Sequence, residues 1–161
     1  MNGKAWMNLA MQYCGNDKEV RVEGHPEKMN AVSCYAEACY ATPQDPKTWL
    51  HLGMFVQDSI EVNKTKYTKK DLILKALQLD STDCVAWLWL GCIMDSGDDV
   101  VVCGSKYDKL ACLVEAVTYD PDDKNPEGKK YLLEQMDDGD VVTIRGEEYK
   151  KDDGSLVPKT E

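Results

Sequence analysis

The sequence contains no long uncharged apolar run. Its longest, residues 84–94, is 11 residues held between Asp83 and Asp95, well short of the roughly eighteen that a membrane span needs. No membrane association is expected. The first fifteen residues carry Asn8 and Gln12 inside their apolar stretch and lack a charged start followed by a clean apolar segment, so no secretory leader is expected. Neutral-pH bases are scarce, with only His25 and His51 available, and among seven cysteines none is spaced Cys-x-x-Cys. A catalytic centre needs a base, a nucleophile or a metal in mutual reach, and the common zinc arrangements need paired cysteines. No catalytic residue, no metal site and no cofactor is therefore expected.

Basic charge is scarce in one half only. Residues 1–80 carry ten basic and ten acidic side chains, whereas residues 81–161 carry nine basic and nineteen acidic, so the whole net charge of −10 lies in the second half. Nucleic-acid binding needs a basic surface and is excluded as a function class. The Asp clusters at 95/98/99, 120/122/123, 137/138/140 and 152/153 read as solvated loops and helix caps. Residues 120–125 have the acid density of a calcium loop, but Lys124 takes a ligand position and no glycine follows at the turn, so calcium is not expected. The odd cysteine count and the apolar helical neighbours of most cysteines suit small buried residues in a reducing compartment. A cytoplasmic location is expected.

What the sequence does contain is a repeat. Trp49-Leu50-His51-Leu52-Gly53 recurs as Trp87-Leu88-Trp89-Leu90-Gly91, and more weakly upstream as Trp6-Met7-Asn8-Leu9-Ala10. A second block places Ala38, Ala76 and Ala116 at intervals of 38 and 40. Apolar residues at Trp49, Leu52, Gly53 and Val56, and at Leu72, Ile73, Ala76 and Leu79, follow helical periodicity. Each repeat is thus predicted to be a helix pair, with Asp45-Pro46 and Asn125-Pro126 marking helix starts and Asp83 capping the helix at Cys84. Between the helices of each pair lies a third recurring block, residues 60–67, 100–107 and 142–149. Its tyrosines, Tyr67, Tyr107 and Tyr149, are 40 and 42 apart. A two-residue turn with Gly second fits a type I′ hairpin. That register puts Val102 opposite Ser105, Val100 opposite Tyr107 and Glu61 opposite Lys66. The earliest copy, residues 20–26, has Pro26 where pairing is wanted and is expected to be degenerate, with His25 exposed in its turn.

These residues resemble the tetratricopeptide repeat family. Its signature of Trp-x2-Leu-Gly-x2-Tyr, then Ala, then Pro is matched by Trp49/Leu52/Gly53, Trp87/Leu90/Gly91 and Trp6/Leu9/Ala10/Tyr13, with Tyr35/Ala38/Pro43, Ile73/Ala76 and Leu113/Ala116/Pro121 in the second helices. The resemblance covers residues 4–136. Val56, Met94 and Ser81 depart from the usual types, and the period is 38 to 40 instead of about 34. It implies an all-α helical-hairpin solenoid with short β-hairpin insertions. The repeats would fall at 3–46, 47–83 and 84–123, followed by a polar capping helix over 126–136, a final hairpin over 137–151 and a flexible tail over 152–161.

The resemblance also implies a protein–protein interaction scaffold that binds a peptide segment of a partner on the concave face formed by the first helices. The residues so placed are Met7, Met11, Lys47, Leu50, His51, Met54, Val85, Leu88, Trp89 and Cys92. A subgroup of the family grips acidic chaperone tails through Lys, Arg and Asn, and none of these stands at the corresponding Met7, Met11, His51, Val85 or Trp89. The groove would be apolar, with Trp89 as anchor and little dependence on salt. The same Met, Leu and Trp stripe equally suits a buried core roofed by the hairpins. Two other readings stand beside the scaffold: a homotypic assembly segment of a longer array that self-associates, and a thiol-dependent enzyme.

Overall fold

The computed structural model describes residues 2–14, 18–120 and 122–159. Among them the chain forms α1 (Gly3–Tyr13), β1 (Val20–Arg21), β2 (Lys28–Met29), α2 (Ala31–Ala41), α3 (Pro46–Phe55), β3 (Ser59–Val62), β4 (Thr65–Thr68) and α4 (Lys69–Leu79). Then come α5 (Cys84–Ile93), β5 (Asp99–Val102), β6 (Ser105–Asp108), α6 (Lys109–Thr118), α7 (Pro126–Gln135), β7 (Val141–Ile144), β8 (Glu147–Asp152) and β9 (Ser155–Pro158). The chain divides into two compact units, Met1–Asp80 and Ser81–Glu161. The boundary falls where the charge imbalance begins.

Among the described residues, a mixed architecture of seven helices and four small antiparallel sheets overturns the expected all-α solenoid with short insertions. The reason lies in the strands' inward faces. Met29, Val62, Val100, Val102, Val142 and Ile144 are all buried, so the hairpins complete the core rather than decorate it. A helices-only core would leave these apolar side chains in water, at a cost of roughly 1.5–3 kcal/mol each. The C-terminal segment departs from expectation as well. Instead of a flexible tail, residues 155–158 form β9, which pairs with β8 through Lys150 opposite Val157 and Lys151 opposite Leu156. Pro121 and residues 160–161 lie outside the described residues.

In the first unit α1 packs on α2 and α3 on α4; in the second α5 packs on α6 and α6 on α7. The close approach of α3 to α4 and of α5 to α6 depends on small residues. A β-carbon on Gly53 would meet Ile73 at 2.9 Å and Leu72 at 3.2 Å, and one on Gly91 would meet Leu113 at 2.8 Å. Helix starts follow the capping residues. The Asp45 side chain accepts the Lys47 N–H, and that of Asp83 accepts those of Val85 and Ala86. Thr68 and Asp71 form a reciprocal capping box at α4. Asn125 caps nothing with its side chain. In its place the buried Asp120 carboxylate accepts the Lys124 N–H at 3.1 Å and the Asn125 N–H at 2.7 Å, and so holds the loop ahead of α7.

The hairpin register is the one the spacing requires: Val100 faces Tyr107, Val102 faces Ser105 and Glu61 faces Lys66. The turn pairs Asn63-Lys64, Cys103-Gly104 and Arg145-Gly146 all have positive φ, as a type I′ turn demands. The earliest hairpin holds only two residue pairs. Each of the two full Trp motifs is locked to its hairpin in the same way. Trp49 donates its indole N–H to the Pro43 carbonyl and lies 5.2 Å from the Tyr67 ring, while Trp87 donates to the Ser81 carbonyl and lies 4.7 Å from Tyr107.

Candidate functional site

The ten residues expected on a binding face divide between the two units. In the first, Leu50 is buried in the core. Met7, His51 and Met54 are half-buried, and Lys47 and Met11 are exposed. His51 stacks on Tyr35 with ring centroids 5.6 Å apart, and its Nδ1 lies 2.6 Å from the Lys47 carbonyl. A carbonyl can only accept, so Nδ1 carries the proton and donates it. Phe55 stacks on the same Tyr35 ring at 5.5 Å. His25 is not the exposed turn residue expected from its hairpin: its ring stands edge-on to Trp6 at 4.9 Å and is half-buried.

In the second unit the four expected residues converge. Val85, Leu88, Trp89 and Cys92 project from one face of α5 toward Asn125, Glu127 and Tyr131 at the start of α7, and together they line an open cleft of about 320 Å³. Helical spacing explains the α5 side: 85, 88, 89 and 92 are one stripe at i, i+3, i+4 and i+7. Leu88 forms the floor and is nearly covered, whereas Trp89 is half-buried and Cys92 exposed. The opposite wall exists because Asp120 fixes the loop that ends at Asn125 and because α7 packs on α6. A β-carbon on Gly128 would sit 3.8 Å from both Ala116 and Val117, and Leu132 and Met136 are buried. The helix over 126–135 is therefore part of the site and more than the polar lid expected of it.

Asn125, Glu127 and Tyr131 were not among the expected binding residues. A signal for Tyr131 was present: counting from Pro46 and Pro126, it stands where His51 stands in the second repeat. The outward polar face of α7 concealed it.

The electrostatics of the cleft do not favour a reactive thiol. Loss of surrounding water pushes the Cys92 thiol above its ordinary pKa; Lys109 opposes this, while Glu127 and Glu134 add to it. Burial likewise raises Cys34 and Cys84, and raises Cys39 to about 12. A nucleophilic cysteine needs the opposite shift. Among the described residues no three His, Cys, Asp or Glu side chains converge as metal ligands. The acid-rich loop at 120–125 uses its buried carboxylate on backbone N–H groups. Among the described residues no helix is long and apolar enough to cross a membrane.

Comparison with protein families, curated proteins and solved structures found no match to this chain.

Proposed function

We propose that this protein is a docking module that binds a peptide segment of a partner protein through the cleft between α5 and α7. The observation that carries the reading is the cleft itself: a half-buried indole, Trp89, and an exposed phenol ring, Tyr131, line it together above the apolar floor of Leu88. Aromatic side chains of this kind dominate peptide and protein recognition because they bury much area at little entropic cost. The upward shifts of the Cys34, Cys39, Cys84 and Cys92 thiols support binding rather than thiol chemistry. The seven free cysteines support a reducing, cytoplasmic setting. Kinship with tetratricopeptide repeats belongs to the same proposal and rests on the repeat residues alone.

Selection of a random peptide library on the immobilised full chain tests the reading. The expected result is enrichment of sequences with a large apolar residue, whose binding is lost on Tyr131→Ala. Tyr131 is 36% exposed, so this change leaves the fold intact. Enriched peptides that bind the Tyr131→Ala and Trp89→Ala variants as well as the wild type would place binding elsewhere. Concentration-dependent dimerisation abolished by the same substitutions would instead make a second copy of the chain the occupant.

A further inference from the structure

The cleft is apolar on its floor and acidic at its rim. Glu127 lines the opening directly, and both Glu127 and Glu134 act on the Cys92 thiol through their charge. They belong to the unit that carries nineteen acidic against nine basic side chains. In the repeat register, Glu127 occupies the position held by Lys47 in α3 and Val85 in α5, so the acidic rim is particular to α7. From this charge pattern we infer that the occupant is a cationic peptide segment, in which a large apolar residue seated against Trp89 and Tyr131 is flanked by Arg or Lys that pairs with Glu127. The inference rests on the docking reading above and adds the partner's charge to it.

The protein's own cations show how such a group is held. Lys130 places its Nζ 5.7 Å from the centre of the Tyr131 ring and 4.0 Å from Glu127 Oε2, with both side chains more than half exposed. An ammonium therefore sits within reach of the ring face and the carboxylate together. The pair is long and solvated, and such pairs contribute little. An incoming guanidinium can displace Lys130, because its planar fork engages a carboxylate in two hydrogen bonds and stacks on an aromatic ring. Lys109 acts on the Cys92 thiol in the opposite sense to Glu127 and Glu134 and limits the net negative potential there. The Glu127 carboxylate replaces the expectation of weakly salt-dependent binding with one of moderate salt dependence, since solvent-exposed charges are screened over about 10 Å at 0.1 M salt.

Two synthetic peptides with the same central Leu and Trp residues, one flanked by Arg and the other by Glu, provide the test against the full-length protein. The Arg peptide should bind about fivefold or more tightly at low salt, and that preference should shrink as salt is raised. Glu127→Lys should abolish the preference while leaving the fold unchanged, since Glu127 is exposed. Bound Arg peptide should also slow alkylation of Cys92 without slowing that of Cys103 at its hairpin turn. Equal binding of the two peptides, or a preference untouched by Glu127→Lys, overturns the cationic partner while leaving the docking cleft in place. Binding of both peptides that is unaffected by Tyr131→Ala, with no protection of Cys92, overturns the cleft itself.

Discussion

Gly91 shows how one atom sets a helix spacing. Its Cα faces Leu113, and an added β-carbon would lie 2.8 Å from Leu113 Cδ2 and 3.5 Å from the Cys112 β-carbon, with both residues fully buried. Overpacking of a filled core costs about 1–3 kcal/mol when the neighbours can shift. Here the neighbours are enclosed, so Gly91→Leu should lower stability by about 3 kcal/mol or more, read as a fall in the urea midpoint. An unchanged midpoint would mean that α5 and α6 can separate without loss. The residue scale also contains what the sequence concealed. Asp120 reads as one more acid in a solvated cluster, yet it is buried and holds two backbone N–H groups. Charge counting cannot distinguish an exposed aspartate from one whose oxygens are already bonded.

At the scale of elements, the hairpins are the part most fully legible in the sequence, because strand register follows from a period of two and a two-residue turn. One hairpin carries a second strained turn residue where the others have glycine. Lys64 stands at φ 62 where the equivalent residues are Gly104 and Gly146, and a non-glycine residue in this region costs roughly 1 kcal/mol. Lys64→Gly should therefore raise the thermal midpoint, corresponding to a gain of up to about 1 kcal/mol; a lower midpoint would show that the Lys64 side chain contributes contacts worth more than the strain. A second recurring device at this scale links hairpin to helix end. Lys69 donates from its Nζ to the Met54 carbonyl at the end of α3, and Lys151 to the Leu133 and Met136 carbonyls at the end of α7. Each lies two residues beyond its hairpin tyrosine, as does Lys109. That spacing was visible in the sequence, but its purpose appears only when the helix end it caps is in view. At β8 the pattern breaks: Lys151 continues a strand where Lys69 and Lys109 begin helices, and the chain adds β9 in place of a fourth second helix.

For the molecule as a whole, the seven cysteines predict a graded reactivity. Cys34, Cys39 and Cys112 are buried, Cys14 and Cys84 are half-buried, and Cys92 and Cys103 are exposed. Native-state alkylation followed by mass mapping should label Cys103 first, label Cys92 more slowly because its thiol is raised, and leave Cys34, Cys39 and Cys112 untouched until the protein unfolds. Rapid native labelling of Cys34 or Cys39 would show that the core of the first unit opens readily. With every thiol free, reducing agent should leave the thermal midpoint unchanged.

The sequence by itself determined the local order of this protein: where helices start, which glycines let them approach, and how the hairpins pair. These depend on neighbours within a few residues or on spacings that recur, so residue type and interval carry the information. Only the tertiary structure decided the rest. Leu88 stands at the position equivalent to Leu50 in the same repeated stripe, and it lines an open cleft together with residues of α7. That cleft arises because α7 stands across from α5, beyond a loop held by Asp120, and no local pattern specifies that placement. Likewise, the strands became part of the core because their Val and Ile side chains had no other apolar surface to cover, a demand set by the whole fold and not by any one hairpin.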